Sequence, residues 1–121
     1  MSNIKGPDFI AVQVNDLERA RRFYTETLGL TPAPQSPPEA CLFLTEPIPF
    51  AVRKPHAGTV IDAAPGNGVA LWFLCRDAVD LYDTLKEKGV ELLGEPATGP
   101  FGLTFKFRDA DGYVITVHDK A

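Results

Sequence analysis

The sequence contains an internal repeat, in which a short apolar stretch ending in Asp is followed by a helical pattern and a Gly. Residues 9–16, FIAVQVND, align with residues 70–77, ALWFLCRD. Such self-similarity indicates that a chain is built from copies of one supersecondary unit. The repeat therefore predicts two similar modules in tandem, each beginning with a strand.

Apolar residues spaced three and four positions apart follow each Asp of the repeat. This spacing predicts an amphipathic helix from Asp16 to Gly29 and another from Asp77 to Gly89. Asp is a favourable N-cap because its carboxylate accepts a hydrogen bond from a free amide of the first turn. Gly is favoured just after a helix because it adopts the left-handed conformation at little cost.

Extended patterns follow each of these glycines. The predicted strands cover residues 40–45 and 49–53 in the first half and 90–93, 103–107 and 113–118 in the second. A loop over 31–39 is too rich in proline for helix. The sequence Asp109-Ala-Asp-Gly112 predicts a hairpin between the last two strands. The pattern is that of an α+β fold made of two β-α-β-β-β modules.

The chain has 121 residues, which predicts a single domain. Within it, the first module covers about residues 7–54 and the second about residues 69–119. About residues 55–68 lie between them and are expected to form a linker, because this stretch contains Pro and Gly and has no apolar period.

Charge and hydropathy exclude two classes of partner. The net charge of −4 argues against nucleic acid, whose binders usually carry a basic face. The longest apolar run, residues 69–75, is far shorter than the roughly 20 residues that cross a bilayer.

The first residues lack the apolar core of a leader peptide, so we expect a cytoplasmic protein. Cys41 and Cys75 lie in apolar segments and are expected to be small hydrophobic residues rather than a disulfide.

Alternation along the first strand of each module separates two faces. The set that contains Val12 and Val14 is apolar and is expected to pack under the helix, which leaves Phe9, Ala11 and Gln13 on the opposite face. In the second module, the face opposite the helix holds Ala70, Trp72 and Leu74 and is apolar as well. Another sheet, another subunit or a ligand cavity is expected to cover it.

Several short motifs, in this order and on this repeat, resemble the vicinal oxygen chelate superfamily over essentially the whole chain. The superfamily includes glyoxalase I, extradiol dioxygenases, fosfomycin-modifying enzymes and the bleomycin resistance proteins. The motifs are Val12-x-Val-x-Asp-Leu17, Phe23-Tyr24, Leu28-Gly-Leu30, Lys88-Gly-Val90, Gly99-Pro-Phe-Gly102 and Phe107-Arg-Asp-Ala-Asp-Gly-Tyr113. The resemblance implies a U-shaped, partly open barrel with helices outside, usually as a homodimer.

Enzymes of this superfamily hold a divalent metal through His and Glu, and the resemblance implies where those ligands would fall. The positions carry Phe9, Ala70, Thr116 and one residue within 50–53, a stretch without His, Asp or Glu. None of these side chains is a usual ligand for such a metal. His56 and His118 without a positioned carboxylate make a weak replacement. We therefore expect no metal and no cofactor.

The loss of charged ligands, with Phe9 in one of their places and Trp72 beside it, predicts an apolar slot that binds a ring system by burial and stacking. We expect a metal-independent protein that sequesters an aromatic natural product or antibiotic and so confers drug resistance by binding, with no catalytic residue. The expected ligand-binding residues are Phe9, Ala11, Gln13, Phe43, Phe50, Ala70, Trp72, Phe101, Phe105, Thr116 and His118. The alternative is a glyoxalase-like or other lyase, isomerase or dioxygenase of the superfamily with a displaced or absent metal.

Plain structural roles are open for several of these residues. The phenylalanines on strands can be ordinary core, Gln13 can be a polar residue at the end of a sheet, and His118 can be solvated near the C-terminus. Phe101 differs because it lies in a loop between Gly and Pro, where it could cover the cleft. The sequence leaves open whether a cleft is formed within one chain or shared by two.

Overall fold

A computed structural model describes residues 3–120. The chain divides into two compact units, Met1–Ile61 and Asp62–Ala121, and the boundary falls inside the segment predicted as a linker. We call them unit 1 and unit 2 and describe each by itself. Among the described residues, no helix combines the length and the apolar character needed to cross a membrane.

Unit 1 is a three-stranded mixed sheet with one helix. Its elements are β1 (Ile10–Gln13), α1 (Leu17–Arg22), β2 (Ala40–Phe43) and β3 (Phe50–Arg53). The strand order is β1-β3-β2, with β1 parallel to β3 and β2 antiparallel to it. The register places Ile10, Phe50 and Phe43 in one row across the sheet. Residues of one row point to the same face, so all three lie on one side.

Helix α1 begins as the sequence predicts, since the Asp16 carboxylate accepts the Arg19 N–H at 3.0 Å. The helix widens into a π-helical turn over Phe23–Thr27, where the Leu28 N–H donates to the Phe23 carbonyl at 3.0 Å. The chain then turns at Gly29, whose φ is +80°. Tyr24 is fully buried, and its ring packs on Phe43 and Phe50 with centroids 5.6 and 5.1 Å away. These three rings form the centre of the unit 1 core.

Unit 2 is a four-stranded mixed sheet with one helix. Its elements are β4 (Leu71–Leu74), α2 (Ala78–Glu87), β5 (Ala97–Gly99), β6 (Gly102–Arg108) and β7 (Val114–His118). The strand order is β4-β7-β6-β5, with β4 parallel to β7 and the other pairs antiparallel. The predicted hairpin joins β6 to β7, and the Asp109 carboxylate accepts the N–H groups of Asp111 and Tyr113 at 2.9 Å each. Helix α2 is capped by Asp77, as predicted.

The α+β class and the two tandem modules are confirmed, and both sheets are open, with edge strands β1 and β2 in unit 1 and β4 and β5 in unit 2. Two details differ from the strand predictions. The predicted strand 90–93 is reduced to one bridge between Leu92 and Phe107, and the chain forms β5 a few residues later. In unit 1, the proline-rich loop contributes a single bridge, Pro32 to Phe43, in place of one strand of the module.

Candidate functional site

The sheet of unit 2 has one face under α2 and one open face. Leu71, Ile115 and Phe107 share a row and are buried, which marks the face covered by the helix. The next row consists of Trp72, Thr116 and Lys106, and the row two residues further along β4 consists of Leu74, His118 and Thr104. Because alternate rows point to opposite faces, these two rows form the open face.

Three rings meet on this open face, and we call them the aromatic triad: Trp72 from β4, His118 from β7 and Phe101 from the turn between β5 and β6. The centroid of Trp72 lies 6.0 Å from that of Phe101 and 5.7 Å from that of His118. Phe101 and His118 are 5.8 Å apart. All three pairs meet edge to face, which is a favourable arrangement for aromatic quadrupoles.

The aromatic triad remains largely uncovered. Trp72 is 48% exposed and Phe101 is 49% exposed, although both rings are large and apolar. Leu74, which lies two residues along β4 from Trp72 on the same face, is also exposed, as is Ala70 just before the strand. Exposed apolar side chains that cluster on one surface mark a place where a ligand or partner binds.

His118 adds a polar atom to this surface. Its Nδ1 lies 2.8 Å from the carbonyl oxygen of Lys120. Because a carbonyl oxygen only accepts, Nδ1 must carry the hydrogen, and in the neutral ring Nε2 is then an acceptor. Nε2 has no hydrogen-bond partner among residues 3–120. It is available to a hydroxyl group of a ligand.

The open face of unit 1 carries the residues predicted from the first strand. Phe9 is 46% exposed, and Ala11 is exposed next to it. Gln13 is half-buried, and its Oε1 accepts the His56 N–H at 3.2 Å. This bond ties Gln13 to the segment that follows β3, so its carbonyl oxygen is already used within the unit.

Three of the predicted ligand-binding phenylalanines lie in the two cores instead of on an open face. Phe43 and Phe50 pack on Tyr24 on the helix side of unit 1 and are 1% and 3% exposed. Phe105 is equally buried, shares a row with Val117 and Phe73, and meets Tyr82 of α2 edge to face at 5.4 Å. The face of the sheet to which each ring points decides this placement.

Thr116 lies on the open face of unit 2, but it is buried in the middle of its row between Trp72 and Lys106. Lys106 was missed as a candidate, although its exposed ammonium side chain belongs to the same row. The sequence indicates Lys106 only as a single polar residue between the two phenylalanines of β6.

The donor set does not fit a divalent metal of the kind that enzymes of the resembled superfamily use. The positions implied for ligands hold Phe9, Ala70, Thr116 and β3, which offer no imidazole or carboxylate. Over residues 3–120, no three His, Cys, Asp or Glu side chains come together in a way that could hold a metal ion. Burial raises the pKa of the Cys41 and Cys75 thiols, which disfavours the thiolate that a metal would need.

Comparison with known proteins identifies the family of this chain. The sequence model of the Glyoxalase/Bleomycin resistance protein/Dioxygenase superfamily matches residues 6–117. The chain belongs to this superfamily. The uncharacterized protein YetH of Bacillus subtilis (strain 168) is 30% identical over 119 residues, which is 96% of this chain and 99% of YetH.

Solved structures of other proteins have the same fold. TnmS3, an antibiotic binding protein from Streptomyces sp. CB03234, superposes with a TM-score of 0.78 at 25% identity, covering 100% of both chains. A glyoxalase-related enzyme from Fulvimarina pelagi superposes with a TM-score of 0.77 at 24% identity, covering 97% of this chain and 89% of its own. An antibiotic binding protein and a glyoxalase-related enzyme thus share this architecture, so the fold alone does not distinguish binding from catalysis.

Proposed function

We propose that this protein binds a flat aromatic compound of the natural-product or antibiotic kind on the open face of unit 2 and releases it unchanged. The observation that carries the proposal is the aromatic triad, whose Trp72 and Phe101 rings are half-exposed although they are large and apolar. A planar ring system that covers them would bury surface which water now contacts.

The energy available from these rings is substantial. Covering the exposed half of two aromatic side chains removes about 100 Å² per ring from water. At about 25 cal/mol per Å², the two rings contribute about 5 kcal/mol. A micromolar Kd corresponds to about 8 kcal/mol. The apolar area of the ligand itself must supply the rest and offset the cost of association.

Two observations favour sequestration over turnover. The donor set at the positions where enzymes of the superfamily hold their metal offers no usual ligand. TnmS3, which is similar over the whole chain, is described as an antibiotic binding protein. We therefore propose resistance by binding, without a metal or a cofactor. The homodimer and the cytoplasmic location expected from the sequence stay predictions.

The binding test uses Trp72, the only tryptophan of the chain, as its reporter. Titration with 2-hydroxyanthraquinone should quench the emission of Trp72 with saturation, and free N-acetyltryptophanamide corrects for absorption by the compound. Calorimetry with a Phe101→Ala variant should show a Kd about 70-fold higher, because one of the two exposed rings and its contribution of about 2.5 kcal/mol are lost. Bleomycin, which is cationic, serves as a second and chemically different probe.

The same samples separate binding from catalysis. After prolonged incubation, denaturation should release the compound with its mass unchanged. A product of altered mass would contradict sequestration and favour an enzyme of the superfamily. The proposal that the ligand is aromatic would be wrong if neither probe, nor any compound of a wider panel of polycyclic aromatic antibiotics, quenched the emission with saturation.

A further inference from the structure

The carboxylate of Asp119 joins two elements of unit 2 just behind the aromatic triad. One oxygen, Oδ1, accepts the Leu103 N–H at 2.9 Å, directly after the turn that carries Phe101. The other, Oδ2, accepts the Ala78 N–H at 3.4 Å, at the first residue of α2. A negative charge is favourable at this end of a helix. The side chain therefore ties the turn between β5 and β6 to the helix.

The main chain beside Asp119 makes a second tie to the same turn. The Lys120 N–H donates to the Phe101 carbonyl at 3.1 Å, and the Lys120 carbonyl accepts from the ring of His118. Lys120 thus holds the ring of His118 through its carbonyl oxygen, and it holds Phe101 through the Phe101 backbone.

Gly102 shows how closely the turn and Asp119 approach each other. Its φ is +85°, and a methyl group in place of its hydrogen would overlap Asp119 Oδ1 and lie 3.0 Å from Lys120 Cγ. Glycine is the residue that tolerates both this conformation and this proximity. Gly99, at the other side of the turn, has room, since a methyl group there would lie 3.8 Å from its nearest neighbour.

We propose that Asp119 is a positioning residue that holds Phe101 in the aromatic triad and thereby sets the affinity of the binding face. This inference rests on the proposed function and adds a residue that touches no ligand. Without the bond to Leu103, the exposed Phe101 ring would sample positions away from Trp72 and His118, because little else in unit 2 covers it. Ligand binding would then have to order the turn, at a cost in affinity.

Two variants break the contact from opposite sides. Asp119→Ala removes the carboxylate, and Gly102→Ala displaces it without deleting any polar group. Each should change the near-ultraviolet circular dichroism of Trp72 and raise the Kd for 2-hydroxyanthraquinone about tenfold. In a double-mutant cycle, Phe101→Ala combined with Asp119→Ala should bind no more weakly than Phe101→Ala alone, because both act through the same ring.

Three further variants separate positioning from general damage. Gly99→Ala adds a methyl group in the same turn where there is space. Gly89→Ala imposes a similar backbone strain, with φ of +79° and open space around it. Both should bind like the wild type. Asp119→Asn keeps an acceptor for the Leu103 N–H, so it should recover most of the affinity that Asp119→Ala loses.

The outcomes distinguish this inference from the proposed function. If the wild type binds no aromatic probe, the proposed function fails, and the Trp72 spectrum of the folded variants still tests the role of Asp119. An unchanged Trp72 spectrum in both Asp119→Ala and Gly102→Ala would overturn the inference. Fully additive losses in the double-mutant cycle would overturn it too. Thermal melts monitored in the far ultraviolet establish that each variant is folded.

Discussion

At the scale of single residues, His118 is the polar member of the aromatic triad. Its Nδ1 is held by the Lys120 carbonyl at 2.8 Å, which fixes the ring beside Trp72. In the neutral ring, Nε2 is left as an acceptor at the far end of the side chain. A ligand with a hydroxyl group on its ring edge could donate to this atom while its ring lies on the aromatic triad.

This geometry makes a prediction about selectivity. The wild type should bind 2-hydroxyanthraquinone about fivefold to tenfold more tightly than 2-methoxyanthraquinone, since one hydrogen bond contributes about 1 kcal/mol. His118→Phe keeps a ring in the aromatic triad but loses Nε2, so its two Kd values should become equal in calorimetry. A preference that survives in His118→Phe would show that another group accepts the hydroxyl.

At the same scale, the residues predicted to bind a ligand divide into exposed and buried ones, and their role in binding stays a prediction. Trp72 and Phe101 are half-exposed, and the sequence indicates why, since Trp72 lies opposite the helix face and Phe101 lies in a loop between Gly and Pro. Phe43 lies in the four-residue strand β2, whose residues are all apolar, so the sequence leaves open which face each one occupies. Phe105 lies in β6, where Phe105 and Phe107 alternate with Lys106 and both rings are buried. That alternation already favours a core position for Phe105.

At the scale of elements, the helices could be predicted closely and the strands less so. Asp16 and Asp77 cap the two helices as expected, because a cap depends on groups within a few residues. Strand β5 was missed because Ala97, Thr98 and Gly99 have no apolar alternation, and the strand exists through its pairing with β6.

The cap of α2 gives a prediction for stability. Asp77→Ala removes the acceptor of the Asp80 N–H, a bond of 3.0 Å. We expect the free energy of unfolding, measured with urea, to fall by about 1 kcal/mol. Asp83→Ala, an exposed change in the middle of the same helix, should alter it by less than about 0.5 kcal/mol. Equal effects of the two changes would mean that the cap contributes no more than an ordinary surface residue.

At the scale of the whole molecule, the repeat predicted the modular construction, because two copies of one pattern must fold alike. The resemblance to the superfamily implies where its enzymes would place two of their metal ligands, and the residues there are Phe9 and Ala70, which directly precede β1 and β4. Apolar side chains fill the core of each unit, with Tyr24 and its neighbours in unit 1 and Phe107 and Ile115 in unit 2. Stability should therefore be independent of divalent ions.

Purified protein should contain well under one metal ion per chain by elemental analysis, and its melting temperature should change by less than about 1 °C with EDTA, Ni²⁺, Mn²⁺ or Zn²⁺. A bound metal would be easy to detect, because an ion present at 100 times its Kd would stabilise the fold by about 2.7 kcal/mol. For a chain of this length that corresponds to a rise of roughly 10 °C. A His118→Phe variant controls for weak binding of Ni²⁺ to an exposed imidazole. A rise of several degrees that persists in this variant would reveal a metal site elsewhere in the chain and reopen the case for an enzyme.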